Sequence, residues 1–436
     1  MLLRVRLKNF LSFDSETEFN MFPNLKISAS HEHVYSRGRE VPLLRQAALF
    51  GENASGKSNL VKALSFIRSF AIDPKFLDTI EFKDYQNLLV KGNDQLPVEL
   101  AIEFESRGNY FLYEFKIAAH GVAAESLSLT FPEKGEIKPI FVRENSSLVF
   151  PDIIPIVADM TNTLLRKNPK SSLISLNRDF PLFKDKEVFI AANWLRDSLE
   201  IIGIDSYVPD LIYNLHHNPD LMKFIQSVAC RLELGLQNVN IHDEDIESWT
   251  RNHKVMSKKI PKLPEDADVD SMSLSSNNAP ILSVAIENGI RKVYQLVFDQ
   301  IGKDGHIAHL DTVQQSSGTL RALTLLPALY HAAKKGKTVV IDEINLCLSP
   351  SMVQGFVRYF ATAPDTKGQL IFTTHDTQLL MDKDILRSDE IWFVDKKDGV
   401  STIYSHSDFK EHPTLSRFKG YNEGRFGAIH FINLSE

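Results

Sequence analysis

The residues best suited to chemistry lie in Leu49-Phe50-Gly51-Glu52-Asn53-Ala54-Ser55-Gly56-Lys57-Ser58-Asn59, with the spacing G-x-x-x-x-G-K-[ST]. Glycine lets a backbone wrap closely around an anion, because no Cβ blocks the approach or a positive φ. The N–H groups of Gly51 through Asn59, and the N-terminus of a following helix, would then face phosphate oxygens. Lys57 is suited to the β- and γ-phosphates, and the Ser58 hydroxyl to Mg²⁺. The chemistry expected is nucleoside triphosphate binding. An ordinary glycine turn is the alternative.

A second stretch, Lys337-Thr338-Val339-Val340-Ile341-Asp342-Glu343, runs through β-prone residues into two carboxylates. Ligands of parallel α/β sheets bind at the C-terminal edge of the strands. Asp342 is expected to hold Mg²⁺, directly or through water. Glu343 is expected to orient and deprotonate an attacking water. A third stretch, Gln369-Leu370-Ile371-Phe372-Thr373-Thr374-His375, repeats the pattern and brings His375 to that edge as a γ-phosphate sensor. A turn histidine is the plainer reading of that stretch alone.

Gln315-Ser316-Ser317-Gly318-Thr319 opens a helix marked by Leu320, Leu323, Leu326 and Leu329. Alone it reads as a Ser/Thr N-cap. One helix and one strand before Asp342, Ser316, Ser317, Gly318 and Thr319 suit a second anion site. A polar residue contacting Mg²⁺ and the water is also expected after the phosphate loop, with Gln86 and Gln95 as candidates.

These residues need a scaffold. Arg45–Phe50 reads as a strand before the loop, and Leu60, Val61, Leu64 and Ile67 as one face of a helix ending near Phe70. Leu2–Phe10 and Thr17–Met21 alternate as strands. Val98–Phe104, Tyr110–Ile117, Ser126–Phe131 and Pro139–Val142 suggest an antiparallel sheet. Asp159–Leu165, Glu187–Leu199 and Leu211–Cys230 show helical periodicity, suggesting an all-helical insertion without the heptads of a long coiled coil. Residues 250–280 read as a loop, basic from Arg251 to Lys262 and acidic from Glu265 to Asp270. Strands return at Ile281–Glu287, Val293–Asp299 and Ile307–Thr312.

The division expected is 1–155, the first half of a nucleotide-binding unit with the phosphate loop and a β subdomain; 156–280, a mainly helical insertion and loop; and 281–436, the second half of that unit.

With 436 residues, 43% hydrophobic and 24% charged, the chain is an ordinary globular protein. A net charge of −7 gives no whole-molecule attraction to nucleic acid, though a local patch is compatible with it. The only cysteines, Cys230 and Cys347, lack metal-ligand spacing and read as buried free thiols of a reducing cytoplasm. No apolar run is long enough to cross a bilayer, and no signal peptide is apparent, so a cytoplasmic location is expected.

At these motifs the chain resembles the ABC-type ATPases of the SMC, recombination-repair and OLD branch, more closely the bacterial RloA-like and abortive-infection ATPases. The resemblance rests on Leu7-Lys8-Asn9-Phe10-Leu11-Ser12-Phe13, Gly51–Asn59, Ser316–Thr319, Ile341–Ile344, Thr373-Thr374-His375-Asp376, Arg387–Val394 and Gly424–Ile429. It covers roughly 1–120 and 280–430. Two departures are Ser349, where such families usually have His before Pro, and Gln315, where they often have Glu.

The resemblance implies an α/β ABC-type P-loop head that binds ATP and Mg²⁺ and hydrolyses ATP. It implies a homo-oligomer, at least a dimer, in which Ser316–Thr319 of one copy meets nucleotide held by Lys57 of another. It further implies a sensor or scaffold in phage defence that controls a separate effector, a nuclease or toxin, as in PARIS-like systems. The stretch after His375 is expected to be too short for the Toprim nuclease of OLD proteins. The alternative is a DNA-repair or chromosome-maintenance ATPase acting directly on DNA.

Overall fold

Alternation builds the first sheet. Leu2–Lys8 buries Leu2, Leu3, Val5 and Leu7 and leaves Arg4, Arg6 and Lys8 towards solvent. Those cations meet acids on the same sheet: Arg4 with Glu103 and Lys8 with Glu99 at 3.1 Å on the adjacent strand, and Arg6 with Glu114 at 2.6 Å one strand further. The computed structural model describes the chain apart from residues 28, 37–38, 150–154, 180–185, 205, 207–209, 232–234, 255–270, 277–278, 411–415 and 430–436. The antiparallel sheet has seven strands in the order Ser147–Val149, Glu136–Glu144, Gly121–Phe131, Asn109–Ala118, Val98–Ser106, Leu2–Lys8, Thr17–Asn20. All the strands expected between 98 and 142 form, each somewhat longer than its apolar run.

The second sheet has six strands, in the order Leu199–Ile202, Thr338–Ile341, Gln369–Thr373, Gln46–Phe50, Ile391–Lys397, Val400–Ser405. The first five are parallel, and the last returns as a hairpin. The central strands are buried along their whole length because both faces are covered. Gln369, wholly buried, ties the sheets together. Its amide accepts from Leu2 N at 2.6 Å and donates to the Leu2 carbonyl at 3.0 Å and the Leu44 carbonyl at 3.2 Å. Both sheets and the helix Lys57–Ile72 share one apolar core.

The chain forms two compact units. One comprises Met1–Ile202, Ala332–Ile344 and Val357–Glu436, and holds both of these sheets. The other comprises Gly203–His331 and Asn345–Phe356. Its five-stranded antiparallel sheet runs Leu236–Asp245, Ile290–Ile301, Ala279–Glu287, Ser271–Ser276, with Ile307–Asp311 also paired to Ile290–Ile301. Trp249 anchors a small core there with Leu282, Val284 and Val293.

The middle of the chain differs from an all-helical segment. Helical periodicity from Glu187 ends in a wide turn at Trp194–Ser198, and Leu199–Ile202 becomes the edge strand beside Thr338–Ile341. Leu236–Asp245 is rich in Asn, Asp and Glu, poor strand formers, yet pairs along its length with Ile290–Ile301. Tertiary pairing overrides local preference in both. Leu211–Cys230 is two helices, Leu211–His216 and Pro219–Ala229, divided where the Asn218 side chain accepts from Leu221 N at 3.1 Å. The helix Ile246–Asn252 runs into the start of the expected loop, and Ser271–Ser276 within it is a strand. Lys258, Lys259, Lys262, Glu265, Asp266, Asp268 and Asp270 lie outside the described residues.

Cys230 and Cys347 are exposed, correcting their reading as buried thiols. Cys230 follows the last residue of the helix Pro219–Ala229 and its thiol donates to the Gln237 carbonyl at 2.9 Å, and Cys347 sits in a left-handed loop position at φ 61°. Among the described residues no helix is long and apolar enough to cross a membrane.

Candidate functional site

Strand register decides where the chemistry gathers. Ile341 pairs with Phe372, and Thr373 with Leu49, so three adjacent parallel strands end nearly level. The residues that follow are Asp342-Glu343, Thr374-His375 and Phe50-Gly51. They meet at the C-terminal edge, as ligand sites of such sheets do.

The loop after Phe50 curls back on the first turn of Lys57–Ile72. Gly51 (φ 156°) and Gly56 (φ 115°) hold backbone conformations that L side chains rarely adopt. A Cβ on Gly51 would also overlap the Val394 carbonyl, and one on Gly56 the hydroxyls of Ser401 and Ser12. Glu52 is half-buried, Asn53 and Ala54 are exposed, and Ser55 and Gly56 are buried. The Ser55 hydroxyl is buried without a hydrogen-bond partner.

Lys57 is 3% exposed. Its Nζ donates to the carbonyls of Gly51 (2.9 Å) and Glu52 (3.0 Å) and lies 3.1 Å from His375 Nε2. Burial pulls the Lys57 pKa down, and Glu343, Asp342 and Glu52 offset only part of that. Ser58 Oγ donates to Asp342 Oδ1 at 3.1 Å. Asp342 is buried. Its Oδ1 also accepts from Thr373 Oγ1 at 2.6 Å. Glu343 Oε1 lies 3.0 Å from His375 Nε2. Burial pushes the Glu343 carboxyl up, but the His375 hydrogen bond, the His375 charge and Lys57 together hold it below the usual carboxylate value.

The structure therefore brings together Gly51 to Asn59, Asp342, Glu343 and His375. Ser316, Ser317, Gly318 and Thr319 belong to the other unit. They open the helix Ser317–Lys335. Ser316 Oγ accepts from Thr319 N at 3.1 Å and lies 2.9 Å from Thr319 Oγ1, as an N-cap would. Ser316 and Ser317 are exposed and Thr319 is buried. A Cβ on Gly318 would lie 2.8 Å from the Cys347 carbonyl. Gln315 Oε1 accepts from Gln300 Nε2 at 3.2 Å. Exposed Ser349 lies 3.4 Å from Met352 N and begins the helix Pro350–Thr362.

Gln86 uses its amide within its own loop, donating to the carbonyls of Asn93, Asp94 and Leu96 at 3.2, 3.1 and 2.9 Å. Gln95 is exposed and bonds Asp94 Oδ2 at 2.8 Å.

Three participants were not apparent from the sequence. Ser12 Oγ accepts from Asn59 Nδ2 and from Ser401 Oγ, both at 2.7 Å, and Ser401 Oγ lies 2.5 Å from the Ser55 carbonyl. These hydroxyls tie the loop to the first turn of the chain and to the last strand of the parallel sheet. Thr373 is the third. Its only local signal is a polar residue at the end of an apolar strand. Near the late Gly424–Ile429 segment, Phe393 stacks on Tyr421 and Phe426 at 5.3 and 5.6 Å, and Tyr421 meets Phe50 at 6.2 Å.

A glycine-rich loop before a helix, beside a strand that ends in paired acids, has the form of a P-loop nucleotide site. The chain belongs to the family described as "AAA domain, putative AbiEii toxin, Type IV TA system", which matches residues 47–382. Among solved structures it is similar to an SMC head bound to the C-winged helix domain of ScpA, with 14% identity, TM-score 0.47, and 93% of this chain and 97% of that one covered. It is similar also to the SMC head domain from Thermotoga maritima, with 12% identity, TM-score 0.42, and 93% and 98% covered. No curated protein matches the chain.

Proposed function

We propose that the protein binds ATP with Mg²⁺ and hydrolyses it to ADP and phosphate. The observation that carries this reading is the meeting of Lys57, Ser58, Asp342, Glu343 and His375 at one sheet edge. The phosphates lie against the Gly51–Asn59 backbone, with Ser55 and Lys57 supplying further donors. The Ser58 hydroxyl and the Asp342 carboxylate are hard oxygen donors of the kind Mg²⁺ takes. Mg²⁺ neutralises charge on the phosphates when bound. Glu343, held ionised, accepts a proton from the attacking water, and His375 lies within reach of the γ-phosphate end. Glu343→Gln should therefore slow hydrolysis by about 10²-fold or more while binding is kept. Hydrolysis at the wild-type rate would remove Glu343 from the role of base. Lys57→Ala should abolish ATP binding in calorimetry.

ATP joins two copies, with Ser316–Thr319 of one facing nucleotide on the other. Glu343→Gln with ATP should then shift the molecular mass measured by light scattering to at least a dimer. A monomer under those conditions rejects the pairing. In the cell the ATPase acts as a sensor or scaffold that controls a separate nuclease or toxin in antiviral defence. What supports a toxin-linked setting is the family's description as a putative AbiEii toxin of a type IV toxin–antitoxin system. A pull-down with chromosomal neighbours, with and without ATP, tests it. Capture of an effector supports it, and capture of DNA alone favours a DNA-maintenance role.

A further inference from the structure

We infer that Thr373 is a positioning residue that sets both acids of the site at once. The inference rests on the ATPase reading above. Thr373 ends the strand Gln369–Thr373 and is wholly buried. A threonine hydroxyl has one proton to give and two lone pairs to offer. Here the proton goes to Asp342 Oδ1 at 2.6 Å, and a lone pair receives Glu343 N–H at 2.7 Å. The Thr373 carbonyl then accepts from Ile344 N at 3.0 Å. One residue thus holds one carboxylate oxygen and two successive peptide N–H groups of the neighbouring strand end.

This bracket matters because Glu343 has φ 51°, in the left-handed region. Such a conformation is costly for a residue with a side chain and persists only where its surroundings enforce it. With Glu343 N–H and Ile344 N–H both tied to Thr373, the chain turns sharply after Asp342. Two consecutive residues then serve opposite neighbours: Asp342 meets Ser58, and Glu343 meets His375. In an extended strand consecutive side chains point to opposite faces. Here the turn, not the strand, sets their directions. The Thr373 proton also occupies one lone pair of Asp342 Oδ1, leaving the carboxylate a restricted set of directions for a cation.

Thr373→Val keeps the shape and removes the hydroxyl, and Thr373→Ser keeps the hydroxyl. In Thr373→Val, kcat for ATP hydrolysis should fall about 10- to 100-fold while the Kd for metal-free ATP stays within about threefold of wild type. Mn²⁺ serves as the probe of the acid pair. Its affinity for the nucleotide complex, read by electron paramagnetic resonance, should weaken at least about fivefold in Thr373→Val and recover in Thr373→Ser. If Thr373→Val does not fold, Thr373→Ala carries the same expectations. Thr373→Ser must in any case stay within about threefold of wild type in kcat and Mn²⁺ affinity, and a larger loss overturns the proposal. So does a folded Thr373→Val with wild-type Mn²⁺ affinity and kcat, or one that loses ATP binding and kcat together, as a merely structural residue would. Absence of hydrolysis in the wild-type protein would instead reject the ATPase reading, with the Mn²⁺ comparison still deciding the role of Thr373.

Discussion

Ser58 and Asp342 are 284 positions apart in the chain, and their side-chain oxygens lie 3.1 Å apart. The pair joins the first turn of a helix to the end of a strand from the far half of the protein. Replacing the carboxylate by an amide keeps shape and hydrogen bonding but removes the charge that a divalent cation needs. Asp342→Asn should cut Mg²⁺-dependent hydrolysis by about 10²-fold or more and leave metal-free ATP binding within about threefold. Calorimetry with and without Mg²⁺ checks this, and an unchanged Mg²⁺ effect removes Asp342 from the metal site.

Gly56 stands where a left-handed backbone meets two hydroxyls. Gly56→Ala combines a φ of 115° with overlap against Ser401 and Ser12. The backbone part alone costs about 1–3 kcal/mol. Thermal unfolding should move down by several degrees, and ATP binding should weaken with it. An unchanged melting temperature would mean that the loop relaxes without loss.

Gly318 has its own steric limit, since a Cβ would lie 2.8 Å from the Cys347 carbonyl. Gly318→Asp adds bulk there and negative charge at a helix N-terminus expected to face phosphate. ATP binding to Lys57 should survive, and hydrolysis should fall to background. Mixing this variant with Lys57→Ala should restore part of the activity if each copy supplies one half of a composite site. No restoration at any ratio speaks against that arrangement.

The pH dependence follows from Glu343. Burial raises its pKa, while His375 and Lys57 lower it by more, leaving it below the ordinary 4.5. A carboxyl depressed on folding stabilises the protein above its unfolded pKa, and that stabilisation is lost as pH falls through the folded value. The difference in melting temperature between wild type and Glu343→Gln should change in favour of the variant as pH falls below about 4.5. A difference that stays level through that acid range would show that Glu343 gains nothing from its partners on folding.

Much of the site was legible in the chain because its parts are local. Gly51 to Ser58 carries its own turn chemistry, and Val339–Glu343 announces a buried strand with acids at its end. The helix from Lys57 and the strands from Val98 to Glu144 follow from periodicity within short windows. Leu199–Ile202 was not legible. Its residues continue a helical pattern, and only the backbone groups of Thr338–Ile341 make it a strand. Gln86 looked available from its position, yet its amide is taken up by three carbonyls of its own loop.

Residue types and short spacings by themselves determined that a glycine-rich loop before a helix, a paired-acid strand end and a histidine strand end exist in this chain. Only the tertiary structure decided that they share one edge. Parallel strands must be joined by distant crossovers, so their register is set by packing between segments hundreds of residues apart. The same holds for Thr373 on Asp342 and for Ser401, whose hydroxyl reaches Ser12 across 389 positions. A hydroxyl has no sequence signature for the partner it will meet. Its partner is decided by which strand lies beside it, and that is a property of the folded sheet.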